Sequence, residues 1–193
     1  MKIGLLREWK EPADKRVALT PDQCVQFTNK FPEIELVVEK SPDRTFSDRI
    51  YKKLGIAVVS DVSDCDILFG IKEVPIGKLI PNKTYFFFSH TIKQQAYNRD
   101  LLLAILEKNI TLIDYETLTW FEGGRILGFG KWAGIAGAYN AFLTYGKKTG
   151  KFTIPPAYET DDYEESIRLL GELYLNRLRV VFTGNGRVAD GIR

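Results

Sequence analysis

The chain has 193 residues, 45% of them hydrophobic and 27% charged, with no low-complexity tract. That is enough for one well-buried core, or for one domain and the start of a second. Its 27 basic and 25 acidic residues leave a net charge of +2 scattered along the sequence, which excludes a basic stripe for nucleic acid or an anionic membrane surface. Cys24, Cys65 and a single histidine supply neither a disulfide framework nor a cysteine-based metal site, so no metal is expected.

Lys2–Leu6 reads as a first strand, starting so early that no leader peptide fits before it; with apolar stretches too short to span a bilayer, the expectation is a cytoplasmic chain. Thr20-Pro21-Asp22-Gln23 supplies an N-cap threonine, a proline at the first helical position and a capping-box glutamine, opening a helix to about Lys30. Glu35–Val38 is strand-like, and Ser47–Leu54 is helical with Gly55 as its stop. Ile56–Val59, Asp66–Ile71, Thr84–Phe88 and Thr111–Asp114 are further strands. Between the last two, Gln94–Lys108 reads as an amphipathic helix, with Leu101, Leu102, Ile105 and Leu106 on one face. Strands alternating with helices predict an α/β fold, a Rossmann-like, mostly parallel sheet with flanking helices.

After Gly130 the small residues Ala133, Gly134, Ala136, Gly137 and Ala138 mark a helix to about Tyr145. Small side chains let backbones approach closely, as a helix crossing between domains needs; a tightly buried helix within one domain fits equally well. Gly146–Pro156 is a polar connector, and Asp161–Asn176 is helical, with acidic residues in its first turn. Arg179–Thr183 is a strand candidate leading into Gly184-Asn185-Gly186-Arg187-Val188-Ala189. A strand, a Gly-x-Gly-x-x-Ala turn and a helix opening at about Arg187 form the context of a dinucleotide fingerprint, in which Gly184, Gly186 and Ala189 let a pyrophosphate approach. An ordinary glycine turn is the plainer alternative. The acidic residue that would hold a ribose about 20 positions further on falls beyond Arg193, so a complete nucleotide site is not expected within these residues. Three regions result: a substrate domain over 1–130, a crossing and linker helix over 131–177, and the first βα piece of a second, dinucleotide-binding domain over 178–193.

If the strands run parallel, the polar residues at their C-terminal ends gather at the carboxyl edge of one sheet, where open α/β sheets place their ligand sites. These are Arg16, Lys72, Glu73, His90, Asp114 and Glu116. Each has a duller explanation: a solvated lysine, a structural histidine, an Arg16 paired with Asp14, a Glu116 at an exposed helix start. Together they make a site. A partly buried lysine serves as a base, a histidine carries a second proton, and Arg16 offers a planar fork for a carboxylate.

Lys2–Pro21, with Leu-Arg-Glu followed by Lys-Arg-Val-Ala-Leu-Thr-Pro, resembles the opening of the alanine dehydrogenase/transhydrogenase superfamily. Tyr85-Phe86-Phe87-Phe88-Ser89-His90-Thr91-Ile92-Lys93, Leu112-Ile113-Asp114-Tyr115-Glu116 and Phe129-Gly130-Lys131-Trp132-Ala133-Gly134-Ile135-Ala136-Gly137 narrow the resemblance. They are similar to the lysine-forming saccharopine dehydrogenases and to the lysine–ketoglutarate reductase half of the bifunctional lysine-degrading enzymes. The resemblance covers residues 2–145 and resumes at 178–191. Lys72-Glu73-Val74-Pro75 is closer to the fungal biosynthetic type.

The resemblance implies a nicotinamide-dependent oxidoreductase, with NAD or NADP, that interconverts saccharopine with lysine and 2-oxoglutarate. It makes Lys72 the base for the secondary amine and His90 the group that handles protons at the imine. It makes Arg16 and Gln95 substrate contacts, and Glu73 and Glu116 carboxylates that tune the pair. Phe129 and Arg125 fall where such chains meet the substrate and the cofactor cleft. Small molecules, not nucleic acid or membrane, are the expected partners, with self-association through an exposed edge as a route to a homo-oligomer; the 193 residues alone are expected to be inactive. An alanine dehydrogenase or another imine-reducing enzyme of the superfamily is one alternative. A non-catalytic fragment binding an amino acid or a partner protein is another.

Overall fold

The structure, a computed structural model, describes residues 1–175 and 178–193. The chain divides into two compact units, Met1–Leu127 and Gly128–Arg193.

The first unit is built on β1 (Lys2–Leu5), β2 (Glu35–Glu39), β3 (Ala57–Val59), β4 (Ile67–Phe69), β5 (Thr84–Phe87) and β6 (Thr111–Asp114). They form one sheet in the order β3-β2-β1-β4-β5-β6, with every neighbouring pair parallel. The order reverses between β1 and β4, so loops leaving these two strands diverge and open a crevice at their carboxyl ends. Buried residues cluster on both faces. Val37, Leu68, Tyr85, Phe87, Leu101 and Ile105 belong to one cluster, and Ile3, Leu5, Cys24, Leu36, Val38 and Tyr51 to the other. Gly4 is required by packing rather than by its dihedrals: a Cβ there would meet Leu68 Cδ2 at 2.9 Å and Cys65 Sγ at 3.0 Å. Burial pushes the Cys24 and Cys65 thiols up to about 11.

The predicted first helix is α1 (Pro21–Lys30), and its capping box is complete: Thr20 Oγ1 accepts from the Gln23 N–H while Gln23 Oε1 accepts from the Thr20 N–H. Next comes α2 (Asp48–Lys53), followed by Gly55 at φ 82°. The helix expected over Gln94–Lys108 is shorter. Two 3-10 turns, Thr91–Lys93 and Ala96–Asn98, precede α3 (Arg99–Glu107). Gln94 between them adopts φ 51°, which interrupts any continuous α-helix. The buried face is Leu101, Ala104 and Ile105; Leu102 and Leu106, expected inside, are exposed.

The second unit holds α4 (Gly130–Thr149), α5 (Tyr163–Gly171) and α6 (Arg187–Ile192). The small residues of α4 serve a close crossing with α6. A Cβ on Gly134 would collide with the Val188 carbonyl oxygen, and one on Gly191 with the Lys131 carbonyl oxygen. The helix outruns its expected end and stops at Gly150, at φ 66°. Gly146, expected to open the connector, is instead where Phe152 folds back: a Cβ there would meet Phe152 O at 2.6 Å. Tyr139, Leu143 and Ile154 form a small core, with Tyr139 Oη donating to Pro155 O. Asp162 caps α5 through the Glu165 N–H. That helix ends at Gly171, short of expectation; its expected end at Asn176 lies outside the described residues. The strand expected over Arg179–Thr183 does not form, although α6 opens at Arg187 as anticipated. Among the described residues no strand lies beside that segment to take its ladder hydrogen bonds. No helix among the described residues is long and apolar enough to cross a membrane.

Candidate functional site

Four consecutive strands of the order deliver the site. β1 is followed by Glu8, β4 by Lys72 and Glu73, β5 by His90, and β6 by Glu116. Because the strands are parallel, these residues share one edge, at and beside the point where the strand order reverses.

At the centre, Lys72 Nζ lies 3.2 Å from His90 Nε2. On the other side of the ring, His90 Nδ1 is 2.9 Å from Glu116 Oε2. A second carboxylate, Glu73, places Oε1 3.6 Å from His90 Nε2. Its Oε2 is buried without a hydrogen bond, with the Lys10 ammonium 3.5 Å away. Glu116 also draws Lys93 to 3.4 Å and Arg125 to 3.3 Å, both on Oε1. The Glu116 side chain is only 4% exposed. Burial pushes its carboxyl upward, but the hydrogen bond from His90 and the charges of His90 and Lys93 outweigh this and hold it below the ordinary glutamate range.

This arrangement fixes the chemistry available. Whenever the ring is neutral with its Nδ1 proton directed at Glu116, its Nε2 lone pair faces the Lys72 amine. The pair can hold one proton or pass it between two nitrogens. Lys93 Nζ, also 3.2 Å from Nδ1, adds positive charge beside the same carboxylate.

Glu8 supports the pair from behind. Its two carboxylate oxygens accept from the Ile71 N–H at 2.7 Å and the Lys72 N–H at 2.9 Å. Burial raises its pKa; those two hydrogen bonds oppose the rise. The backbone carrying Lys72 is therefore held by a carboxylate inside the crevice.

Arg16 does pair with Asp14, through Nε at 2.9 Å and Nη2 at 2.5 Å. The paired guanidinium lowers the Asp14 carboxyl, and the charge of Lys72 acts on it in the same direction. Arg125 sits at an isolated bridge to Thr119, and the site receives it through Glu116. Gln95 is exposed; it opens on a hollow of about 240 Å³ lined with Thr91, Gln94, Asn98 and Leu102. Phe129 belongs to the second unit, where it caps α4. In that unit also, Gly184 adopts φ 95°, Gly186 is the N-cap of α6 and Ala189 is buried.

Lys72, Glu73, His90, Glu116 and Arg125 thus come together; Asp114 stands beside them through the Glu116 N–H, and the Arg16–Asp14 pair lies within reach of the charges of Glu8 and Lys72. Glu8, Lys93 and Ser89 were not singled out in the sequence. Glu8 carried a usable signal, because it comes after the first strand as Lys72 comes after the fourth. Lys93 stands only three positions after His90, and a 3-10 turn brings it back to the imidazole.

Comparisons with known proteins bear on the family and the fold. Residues 4–136 match the family described as alanine dehydrogenase/PNT, N-terminal domain. The chain is 34% identical to the mitochondrial alpha-aminoadipic semialdehyde synthase of Bos taurus, over 98% of this chain and 22% of that protein. It is 33% identical to the saccharopine dehydrogenase [NAD(+), L-lysine-forming] of Candida albicans, over 74% of this chain and 38% of that protein. The chain therefore spans well under half the length of these relatives. Among solved structures, an L-alanine dehydrogenase superposes with a TM-score of 0.63 at 21% identity, covering 78% of this chain and 42% of that one. The transhydrogenase of Sinorhizobium meliloti does so with 0.58 at 15% identity, covering 75% and 42%. These two likenesses concern the fold, which is the same Rossmann-like α/β arrangement. From the match over residues 4–136, the chain belongs to the alanine dehydrogenase/PNT N-terminal domain family.

Proposed function

We propose that this chain is the N-terminal part of an amino-acid dehydrogenase that interconverts saccharopine with lysine and 2-oxoglutarate by nicotinamide-dependent hydride transfer at a C–N bond. The observation carrying this reading is the 3.2 Å approach of Lys72 Nζ to His90 Nε2, with Glu116 on the opposite ring nitrogen. The likeness to lysine-forming saccharopine dehydrogenases supports the choice of substrate.

Lys72 takes the proton from the secondary amine of the substrate. His90 carries the next proton, taking it from the water that adds to the imine carbon and returning it to the departing nitrogen. Glu116 steadies the imidazolium formed in between. Glu73, with Oε2 buried and lacking a hydrogen bond, supplies an acceptor for a substrate N–H. Arg16 and Arg125 bring positive charge for substrate carboxylates, and Gln95 and Phe129 extend the substrate contacts.

A nicotinamide dinucleotide would supply or accept the hydride. The second unit fits its phosphate half: a Cβ on Gly184 or Gly186 meets nothing within 4 Å, leaving the turn before α6 open. Gly184 and Gly186 would let the pyrophosphate approach there, with the buried Ala189 letting the helix pack closely. Two buried, unpaired thiols support a reducing compartment such as the cytoplasm.

The test is Lys72→Met in the complete protein, assayed with lysine and 2-oxoglutarate against pyruvate and ammonia. Loss of one proton-transfer group should slow hydride transfer by about 10²–10⁴-fold, with nucleotide affinity nearly intact. Unchanged turnover removes the assignment, and a preference for pyruvate and ammonia makes the protein an alanine dehydrogenase.

A further inference from the structure

His90 stands in the left-handed backbone region, at φ 58° and ψ 7°. A non-glycine residue is uncommon there and persists when its surroundings over-determine it. The surroundings are specific. Ser89 Oγ accepts from the Thr91 N–H at 3.1 Å and lies 2.7 Å from Thr91 Oγ1, so the residues on either side of His90 are tied to each other across it. The same hydroxyl donates to Asp114 Oδ2 at 2.5 Å. Asp114 Oδ1 in turn accepts from the Glu116 N–H at 2.8 Å. Ser89 is 0% exposed and Asp114 7%.

One buried carboxylate therefore grips two loops. Its Oδ2 holds the turn that carries His90, and its Oδ1 holds the residue whose side chain meets His90 Nδ1 at 2.9 Å. The serine hydroxyl uses its proton on Asp114 and its lone pairs toward Thr91. Neither residue touches the reacting nitrogens.

We infer that Ser89 and Asp114 are positioning residues: together they hold the His90 imidazole with its Nδ1 proton on Glu116, and so keep its Nε2 lone pair on Lys72. This rests on the reading of Lys72 and His90 as the proton-handling pair. The charged groups facing the imidazole are Lys72 and Glu73 after β4, Lys93 in the adjoining 3-10 turn, and Glu116 after β6 with Arg125 beyond it. Ser89 and Asp114 add no contact of their own to the ring. They act on which ring nitrogen keeps the proton.

The chain has one histidine, so the imidazole ¹⁵N resonances of the 193-residue protein need no assignment. In the neutral ring, Nδ1 should show the protonated, pyrrole-like shift and Nε2 the pyridine-like one. Ser89→Ala, which removes a single oxygen atom, should lose that pattern and give a tautomer mixture, as should Glu116→Gln, which removes the carboxylate acceptor. The Ser89→Ala, Glu116→Gln double variant should look like Glu116→Gln alone, because the serine acts through that carboxylate. A merely structural network gives a different result: Ser89→Ala lowers Tm but keeps the wild-type nitrogen shifts, and this overturns the inference. If Ser89→Ala does not fold, Asp114→Asn is read in the same way, and retention of the Nδ1-protonated pattern there is equally fatal. In the complete protein, Ser89→Ala should lower kcat with little change in KM and add no further loss to Lys72→Met. Absence of any turnover with lysine and 2-oxoglutarate would sink the substrate assignment, while the nitrogen shifts still decide the positioning role.

Discussion

Two glutamates in the crevice respond to pH with opposite signs. Glu116 is held below the ordinary range, so the folded chain binds fewer protons there than the unfolded one. Its contribution is complete above the unfolded glutamate value of about 4.5 and fades as pH falls through its lower folded value. Glu8, raised by burial, contributes most at low pH, and that share is lost as pH climbs from the unfolded value through the folded one. Glu116→Gln should consequently flatten the acid limb of stability. Between about pH 6 and pH 3 the variant's urea midpoint should fall less than that of the wild type, and parallel curves would contradict the pairing with His90. Glu8→Gln leaves one acceptor oxygen for two peptide donors, so the Ile71 or Lys72 N–H loses its partner. An orphaned buried donor costs about 1–3 kcal/mol, measurable by urea unfolding.

Single elements show what the sequence could and could not disclose. Thr20, Pro21 and Gln23 announced α1 because capping is local chemistry, and Gly55 announced the stop of α2 because a left-handed residue after a helix suits glycine. The gathering of Lys72, His90 and Glu116 was legible once the strands were taken as parallel, since a shared direction brings the C-terminal ends of all the strands to one edge. The break in the helix before α3 was not legible. Gln94 carries no marker of a left-handed backbone, and Leu102 and Leu106 fit the apolar period without finding a surface to cover. His90 is similar: its backbone conformation depends on Ser89 and Asp114, the latter 24 positions away in the chain. In α4 the glycines separate into two kinds. Gly134→Ala should destabilise the second unit by at least about 1–3 kcal/mol, as overpacking against Val188 does. Gly137→Ala, facing nothing within 4 Å, should gain up to about 1 kcal/mol of helix propensity. Thermal melts of the two variants should move in opposite directions.

At the level of the whole molecule, all six strands and both large apolar clusters lie within Met1–Leu127. A fragment of residues 1–127 should therefore unfold cooperatively in urea; a broad, non-cooperative loss of ellipticity would show that its sheet is not self-sufficient. The stretch that did not become a strand has a different consequence. Val180, Val181 and Phe182 expose apolar side chains on a backbone that no strand among the described residues pairs. Such a stretch invites edge-to-edge sticking between molecules. Concentrated solutions of the 193-residue chain should turn turbid sooner than those of a Val181→Lys variant, because a lysine in that exposed apolar stretch makes a second backbone an unwelcome neighbour.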